Sequence, residues 1–232
     1  MARDETALIV GAGSGLSAAL ARALAAEGVR VALAARNAGK LEALARETGA
    51  LALACDAVER AQVEAAFAAV EKKWSAPDLV VYNASYRTRG PVVELDPPEV
   101  KRSLEVSAFG GFLVAQAAAK RMLAKQSGAI FFTGASASVK GYAESAPFAM
   151  GKFALRGLAQ SLARELAPKG IHVAHFVIDG GIGRADDPRA AERGPDGLLA
   201  PDAIASTYLH VWRQHRSAWT WEVELRPWVE RF

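Results

Sequence analysis

The turn Gly11-Ala12-Gly13-Ser14-Gly15 lies between an apolar run ending at Val10 and a helical pattern opening at Leu16. Glycines there remove the Cβ atoms that would keep backbone N–H groups and a helix N-terminus away from a pyrophosphate. The spacing G-x-G-x-x-G is not met, because Leu16 stands at its third glycine, and the turn alone is a weak signal. Arg36 closes the second apolar run, 21 residues after Gly15, the interval at which a ribose-reading side chain is expected. An acid there would accept from a free 2′-hydroxyl, whereas an arginine offers a cation to a 2′-phosphate. NADP(H) is therefore favoured over NAD(H), with a solvated arginine at a strand end as the bland alternative.

Other chemistries find little material. His172, His175, His210 and His215 come with no carboxylate or cysteine set at ligand spacing, so no metal is expected and structural roles are. Cys55 is the only cysteine, which excludes an intramolecular disulfide and fits a reducing compartment. No G-x-S-x-G nucleophile turn is present. The net charge, 28 − 25 = +3, is too small and scattered for a nucleic-acid surface. The opening Met-Ala-Arg-Asp-Glu-Thr leads straight into Ala7-Leu8-Ile9-Val10 and does not read as a signal peptide. Charges or glycines interrupt every apolar stretch before it could span a bilayer, so a cytoplasmic protein with no membrane partner is expected.

The elements that must position these residues alternate. Short apolar runs read as strands at Ala7 to Val10, Val29 to Ala34, Ala50 to Ala54, Leu79 to Tyr82, Ala129 to Thr133 and Ile171 to Ile178. They are continuous rather than alternating, as strands covered on both faces require, which means a parallel sheet. Helical patterns lie between them at Leu16 to Glu27, Ala38 to Thr48, Glu59 to Trp74, Glu99 to Lys125 and Ala146 to Leu166. This is the order of a doubly wound α/β fold with helices on both faces. Asp96 before Pro97 and Pro98 reads as the cap of the fourth helix. A last helix, Pro201 to His215, precedes an edge or final strand within Ala218 to Leu225. With 232 residues, 51% of them apolar, one core in a single domain, 1–232, is expected. The charged stretch around 183–199 reads as a mobile substrate segment. Tyr208, Trp212, Trp219, Trp221 and Trp228 could pack a subunit interface or, equally, core and edge.

Taken together, these features resemble the short-chain dehydrogenase/reductase family across essentially the whole chain. Gly11 and Gly15 match the first two glycines of its T-G-x-x-x-G-x-G turn, with Val10 and Ser17 in place of the threonine and last glycine. Cys55-Asp56 is similar to its C-D pair, whose aspartate contacts adenine, and Tyr82-Asn83-Ala84-Ser85 to its N-N-A-G segment. Asp179-Gly180-Gly181-Ile182 falls at P-G-x-V/I, whose last residue holds the nicotinamide carboxamide. The resemblance implies a Rossmann-like fold and a cofactor site at Gly11, Gly13, Ser14, Gly15, Leu16, Arg36, Asp56, Ala57, Asn83, Ala84, Lys152, Gly180 and Ile182. Without it, Asp56 and Asn83 read as polar caps at strand ends.

The resemblance also exposes a gap. Reducing a carbonyl needs a proton delivered to the developing alkoxide, which the family supplies from tyrosine in Y-x-x-x-K. Here the segment is Phe148-Ala149-Met150-Gly151-Lys152, and the i, i+4 spacing keeps both ends on one helix face. The lysine remains but phenylalanine carries no proton. Thirteen residues back, where the family has its serine, stands Ala135, with Ser136 adjacent. Ser107 replaces the asparagine of V-N-x-x-G, and Arg184 stands where a threonine is common. Ser136, Tyr142 or water held by Lys152 are the substitute donors. The expectation is an NADP(H)-dependent oxidoreductase on a small carbonyl or alcohol with a degenerate active site. The alternative is a catalytically silent NADP(H)-binding sensor or structural partner. By analogy with the family, a homodimer or homotetramer built through the fourth and fifth helices is expected.

Overall fold

In the computed structural model, residues 4–184 and 186–230 are described. The opening residues 1–3, part of the stretch read for a leader, and position 185 of the 183–199 segment lie outside them. Seven parallel strands form one sheet: β1 (Thr6–Val10), β2 (Arg30–Ala35), β3 (Leu51–Ala54), β4 (Leu79–Tyr82), β5 (Gly128–Thr133), β6 (Ile171–Ile178) and β7 (Glu222–Leu225). Their order is β3-β2-β1-β4-β5-β6-β7. The direction of winding reverses between β1 and β4, and in such sheets the crevice beyond the strand C-termini at this point is where ligands bind.

Both faces are covered, which explains the unbroken apolar runs. Successive side chains of a strand point to opposite faces, so Leu8 and Val10 enter one core while Ala7 and Ile9 enter the other. The first core is closed by α3 (Arg60–Lys73), α5 (Gly110–Lys125) and α6 (Ala146–Leu166). The second is closed by α1 (Leu16–Ala26) and α8 (Pro201–Trp212). At about 25 cal/mol per Å² of apolar surface removed from water, these two layers supply the main stabilising term.

Several sequence expectations are corrected. The helix expected over Glu99 to Lys125 is interrupted: α4 (Pro97–Leu104) passes through a π-turn at Glu105–Phe109 into α5. Asp96 sits at the cap position of α4, but its side chain makes no capping hydrogen bond, and its carbonyl accepts from Val100 N instead. The second helix opens as a 3₁₀ turn, Ala38–Leu41, before α2 (Glu42–Thr48). The last helix ends at Trp212, short of His215. Tyr208 is wholly buried core, its hydroxyl 2.9 Å from Thr133 Oγ1, so it takes no part in an interface. The expectation for 183–199 is not among these: the segment carries a short helix, α7 (Arg189–Arg193), and its two ends are tied by Gly183 N to Leu199 O and Leu199 N to Gly181 O. No helix among the described residues is long and apolar enough to cross a membrane.

Candidate active site

The strand C-termini deliver the glycine turn, Arg36, Asp56 and Asn83 to one open cleft of about 560 Å³. Gly11 has φ +83°, and a Cβ there would overlap the Ala84 backbone, so this position admits only glycine without strain. Gly11 N and Ala12 N are spent on Ala34 O. The N–H groups of Gly13, Ser14 and Gly15 have no protein acceptor among the described residues, and a Cβ on Gly13 or Gly15 would meet nothing within 4 Å. Unpaired donors facing an open cleft beside the N-terminus of α1, which opens at Leu16, fit a pyrophosphate.

Arg36 is exposed at the cleft wall, and Lys40 lines the same cleft. The sequence signal for Lys40 was available, since it lies four residues after Arg36 in the same connection. Asp56 is half-buried with Oδ1 accepting from Val58 N at 3.3 Å, and Ala57 is buried beside it. Asn83 differs in its local role: its Nδ2 donates to Ser17 Oγ at 2.7 Å, bracing the end of β4 against α1. Ser17 therefore bonds to a cleft residue where the sequence offered only a missing glycine. Ala84 packs under Gly11. Gly180 has φ +151°, and Ile182 pairs with Leu199 in an isolated parallel bridge.

Phe148 and Lys152 are one turn apart on α6, with Lys152 Nζ 5.8 Å from the phenyl centroid. Lys152 is 3% exposed and donates to Thr133 O at 2.7 Å. Among the described residues no carboxylate pairs with it, and burial pushes its ammonium down to about 8. On the ring, Arg87 Cζ lies 4.9 Å from the centroid. Nothing in the sequence marked Arg87, which reaches α6 only because the loop after β4 folds against it.

The proposed substitutes for the phenol lie on the turns before α6. Ser136 lies half-buried in a 3₁₀ turn, its hydroxyl without a protein partner among the described residues, while neighbouring Ser138 is buried and accepts from Ala135 N. Tyr142 is 46% exposed in the turn before α6 and has no hydrogen bond to Lys152. Ser107 is buried on the π-turn with Oγ 3.4 Å from Tyr86 O. A Cβ on Gly151 would strike Ser107 Cβ at 2.7 Å, so α6 meets the π-turn by backbone approach.

His172 and His175 are taken up by packing and hydrogen bonds along β6. His172 stacks on Trp219 at 4.7 Å and bonds Thr220 O. His175 Nδ1 lies 3.0 Å from Glu222 Oε2, and burial pushes its imidazole down to about 4 against the opposing pull of that carboxylate. Among the described residues, no group of three or more His, Cys, Asp or Glu could hold a metal.

A family model described as short chain dehydrogenase matches residues 5–185. The D-threitol dehydrogenase of Mycolicibacterium smegmatis is 33% identical over 174 residues, covering 73% of this chain and 67% of that protein. Among solved structures, a short-chain dehydrogenase from Rhodopseudomonas palustris is 35% identical with a TM-score of 0.85, over 97% of this chain and 100% of that one. A variant of actinorhodin polyketide ketoreductase solved with NADPH is 26% identical with a TM-score of 0.88, over 98% of each chain. The match runs from the first strand through the glycine turn, Asn83 and Lys152 to the turn after β6, and the chain belongs to the short chain dehydrogenase family.

Proposed function

We propose that this protein is an NADP(H)-dependent oxidoreductase acting on a small carbonyl or alcohol, with phenylalanine where the family's phenol stands. The observation that carries the reading is the cleft itself: Gly13 and Ser14, whose N–H groups have no protein acceptor among the described residues, line it together with Arg36 and Lys40. Ordinary carbonyl reduction draws its hydride from a reduced nicotinamide, and every other contribution must come from the chain. Gly13, Ser14 and Gly15 would bind the diphosphate, Arg36 and Lys40 the 2′-phosphate, and Asp56 the adenine side. Lys152 would bond the ribose, while its charge favours negative charge developing on a substrate oxygen. Ser136, whose hydroxyl has no protein partner among the described residues, would donate a hydrogen bond to the substrate. The segment 183–199 is proposed as the mobile substrate wall, and a reducing, cytoplasmic setting agrees with the one cysteine, Cys55.

Cofactor choice tests the reading. Wild-type protein should bind NADPH at least about tenfold more tightly than NADH, since a charge-assisted hydrogen bond contributes about 1.5–3 kcal/mol. Arg36→Asp should weaken NADPH binding by about 10- to 100-fold and leave NADH within a few-fold, read by fluorescence titration. Equal affinity for both cofactors with no response to the substitution would remove the 2′-phosphate assignment.

Phe148 favours a second reading, a silent NADP(H)-binding sensor or structural partner. It predicts tight NADPH binding with no consumption above a cofactor-only blank across a carbonyl panel.

We also propose a homodimer or homotetramer through α5 and α6. Phe109, Phe112, Leu123, Met150 and Phe153 are exposed there, with Phe109 and Phe112 stacked at 6.3 Å. Such a cluster of large apolar side chains marks an interaction surface. A Phe112→Glu, Phe153→Glu double variant should run as a monomer in light scattering while the parent does not. A monomeric parent would end the proposal.

A further inference from the structure

The loop between β4 and α4 brings a second feature to Phe148. Arg87 spreads over the phenyl ring at 4.9 Å, and Arg89 follows two residues later with its Nε donating to Ser145 Oγ at 3.2 Å. Both arginines are exposed. Several other guanidiniums are paired with carboxylates: Arg22 with Glu47, Arg156 with Glu222, Arg213 with Glu5 and Glu27. Neither Arg87 nor Arg89 has a carboxylate partner among the described residues. Glu99, the acid that approaches this loop, is taken by the Tyr86 hydroxyl, and Arg102 covers the Tyr86 ring at 4.6 Å. Loss of solvent against the ring, and secondarily the like charge of Arg89, pull the Arg87 guanidinium down from the ordinary arginine range.

Two like-charged guanidiniums in one loop, neither with a carboxylate partner among the described residues, favour an anion that approaches them. A guanidinium held over a ring by its cation–π contact makes no hydrogen bond to that ring and keeps its planar fork of N–H donors for a carboxylate, which it can bind bidentately. Lys152 lies one turn further along α6, near the same ring. The wall around Phe148 is therefore cationic over a flat apolar floor.

We infer that Arg87, with Arg89 beside it, is a specificity-determining residue that binds a carboxylate on the substrate, so the compound reduced is an oxo acid or, in reverse, a hydroxy acid. This rests on the oxidoreductase reading and narrows its substrate class. Hydrogen bonds and ionic attraction are its whole content; no bond is made or broken by Arg87.

Binding in a dead-end complex separates this inference from catalysis. Protein saturated with NADP⁺ is titrated calorimetrically with straight-chain 2-, 3-, 4- and 5-oxo carboxylates and with their methyl esters. At least one acid is expected to bind tenfold or more tightly than its ester. Arg87→Gln should bring that acid to within twofold of the ester, Arg87→Lys should recover part of the preference, and Arg89→Gln should give a smaller loss. NADP⁺ affinity, measured first, should stay within twofold in all three variants, which a merely collapsed loop would not give. If NADP⁺ binds and every acid matches its ester, or the preference survives Arg87→Gln, the inference is overturned and the oxidoreductase reading stands. If NADP⁺ itself does not bind, both fall together.

Discussion

Phe148→Tyr is expected to raise the rate of NADPH-dependent carbonyl reduction by about 10²- to 10⁴-fold, the range a positioned general acid contributes. The substitution adds one oxygen to a ring already half-buried on α6 and already one turn from Lys152. The ammonium beside it would favour the phenolate and so bring the phenol's proton within reach at neutral pH. The gain should appear in kcat, with KM little changed, because the new hydrogen bond strengthens only as charge develops on the substrate oxygen. The rate of the variant should fall as pH rises through about 8, where the Lys152 ammonium loses its proton. Steady-state assays of both proteins against one carbonyl panel, with a cofactor-only blank, decide the matter. No gain in the variant would mean that the surrounding geometry is not arranged for proton transfer, and the silent-binder reading would then prevail.

The chain disclosed some of this and withheld the rest for physical reasons. β1, β4 and β6 were legible because burial on both faces forces unbroken apolar runs, and β6 is buried at all eight positions. The glycine turn was legible because a positive φ at Gly11 pressed against Ala84 leaves no other residue type. The π-turn at Glu105–Phe109 was not, since one extra residue per turn leaves a helical pattern almost unchanged over five positions. Arg87 was hidden for another reason. Its partner Phe148 lies 61 residues away, and a loop arginine shows nothing in sequence of which ring it will cover. Asn83 was legible as a strand-end residue, but its bond to Ser17 depends on how α1 leaves the turn. Tyr208 stayed open between core and interface because an aromatic in a helix suits either until the facing strand is known; here Phe176 stacks on it at 3.5 Å.

Lys152→Met should abolish a pH dependence of stability that the wild type carries. In the folded protein the Lys152 ammonium titrates near 8 rather than at the ordinary 10.5, because it is buried with a carbonyl and no carboxylate beside it. Below about pH 8 both folded and unfolded chains hold the proton, and the folded state bears the full cost of the buried charge. Between about 8 and 10.5 the unfolded chain binds more protons than the folded one, so stability rises with pH across that window. The shift corresponds to about 3 kcal/mol at most. Methionine has similar length and no charge, so wild type minus variant should move in favour of wild type by up to that amount between pH 7 and 10.5. Groups common to both proteins cancel in the difference. At pH 7 two effects oppose: the variant escapes the buried charge, but it leaves Thr133 O without its donor, at about 1–3 kcal/mol. The pH slope, measured by urea unfolding, is therefore the cleaner observable. A slope equal in the two proteins would mean that the folded state compensates the charge fully. The same substitution should weaken stabilisation by saturating NADPH, about 2.7 kcal/mol for wild type at a hundred times Kd, if the proposed ammonium contact to the ribose holds. A lysine that destabilises the free fold and strengthens the loaded one has its charge held for the ligand, whatever rate the phenyl ring beside it allows.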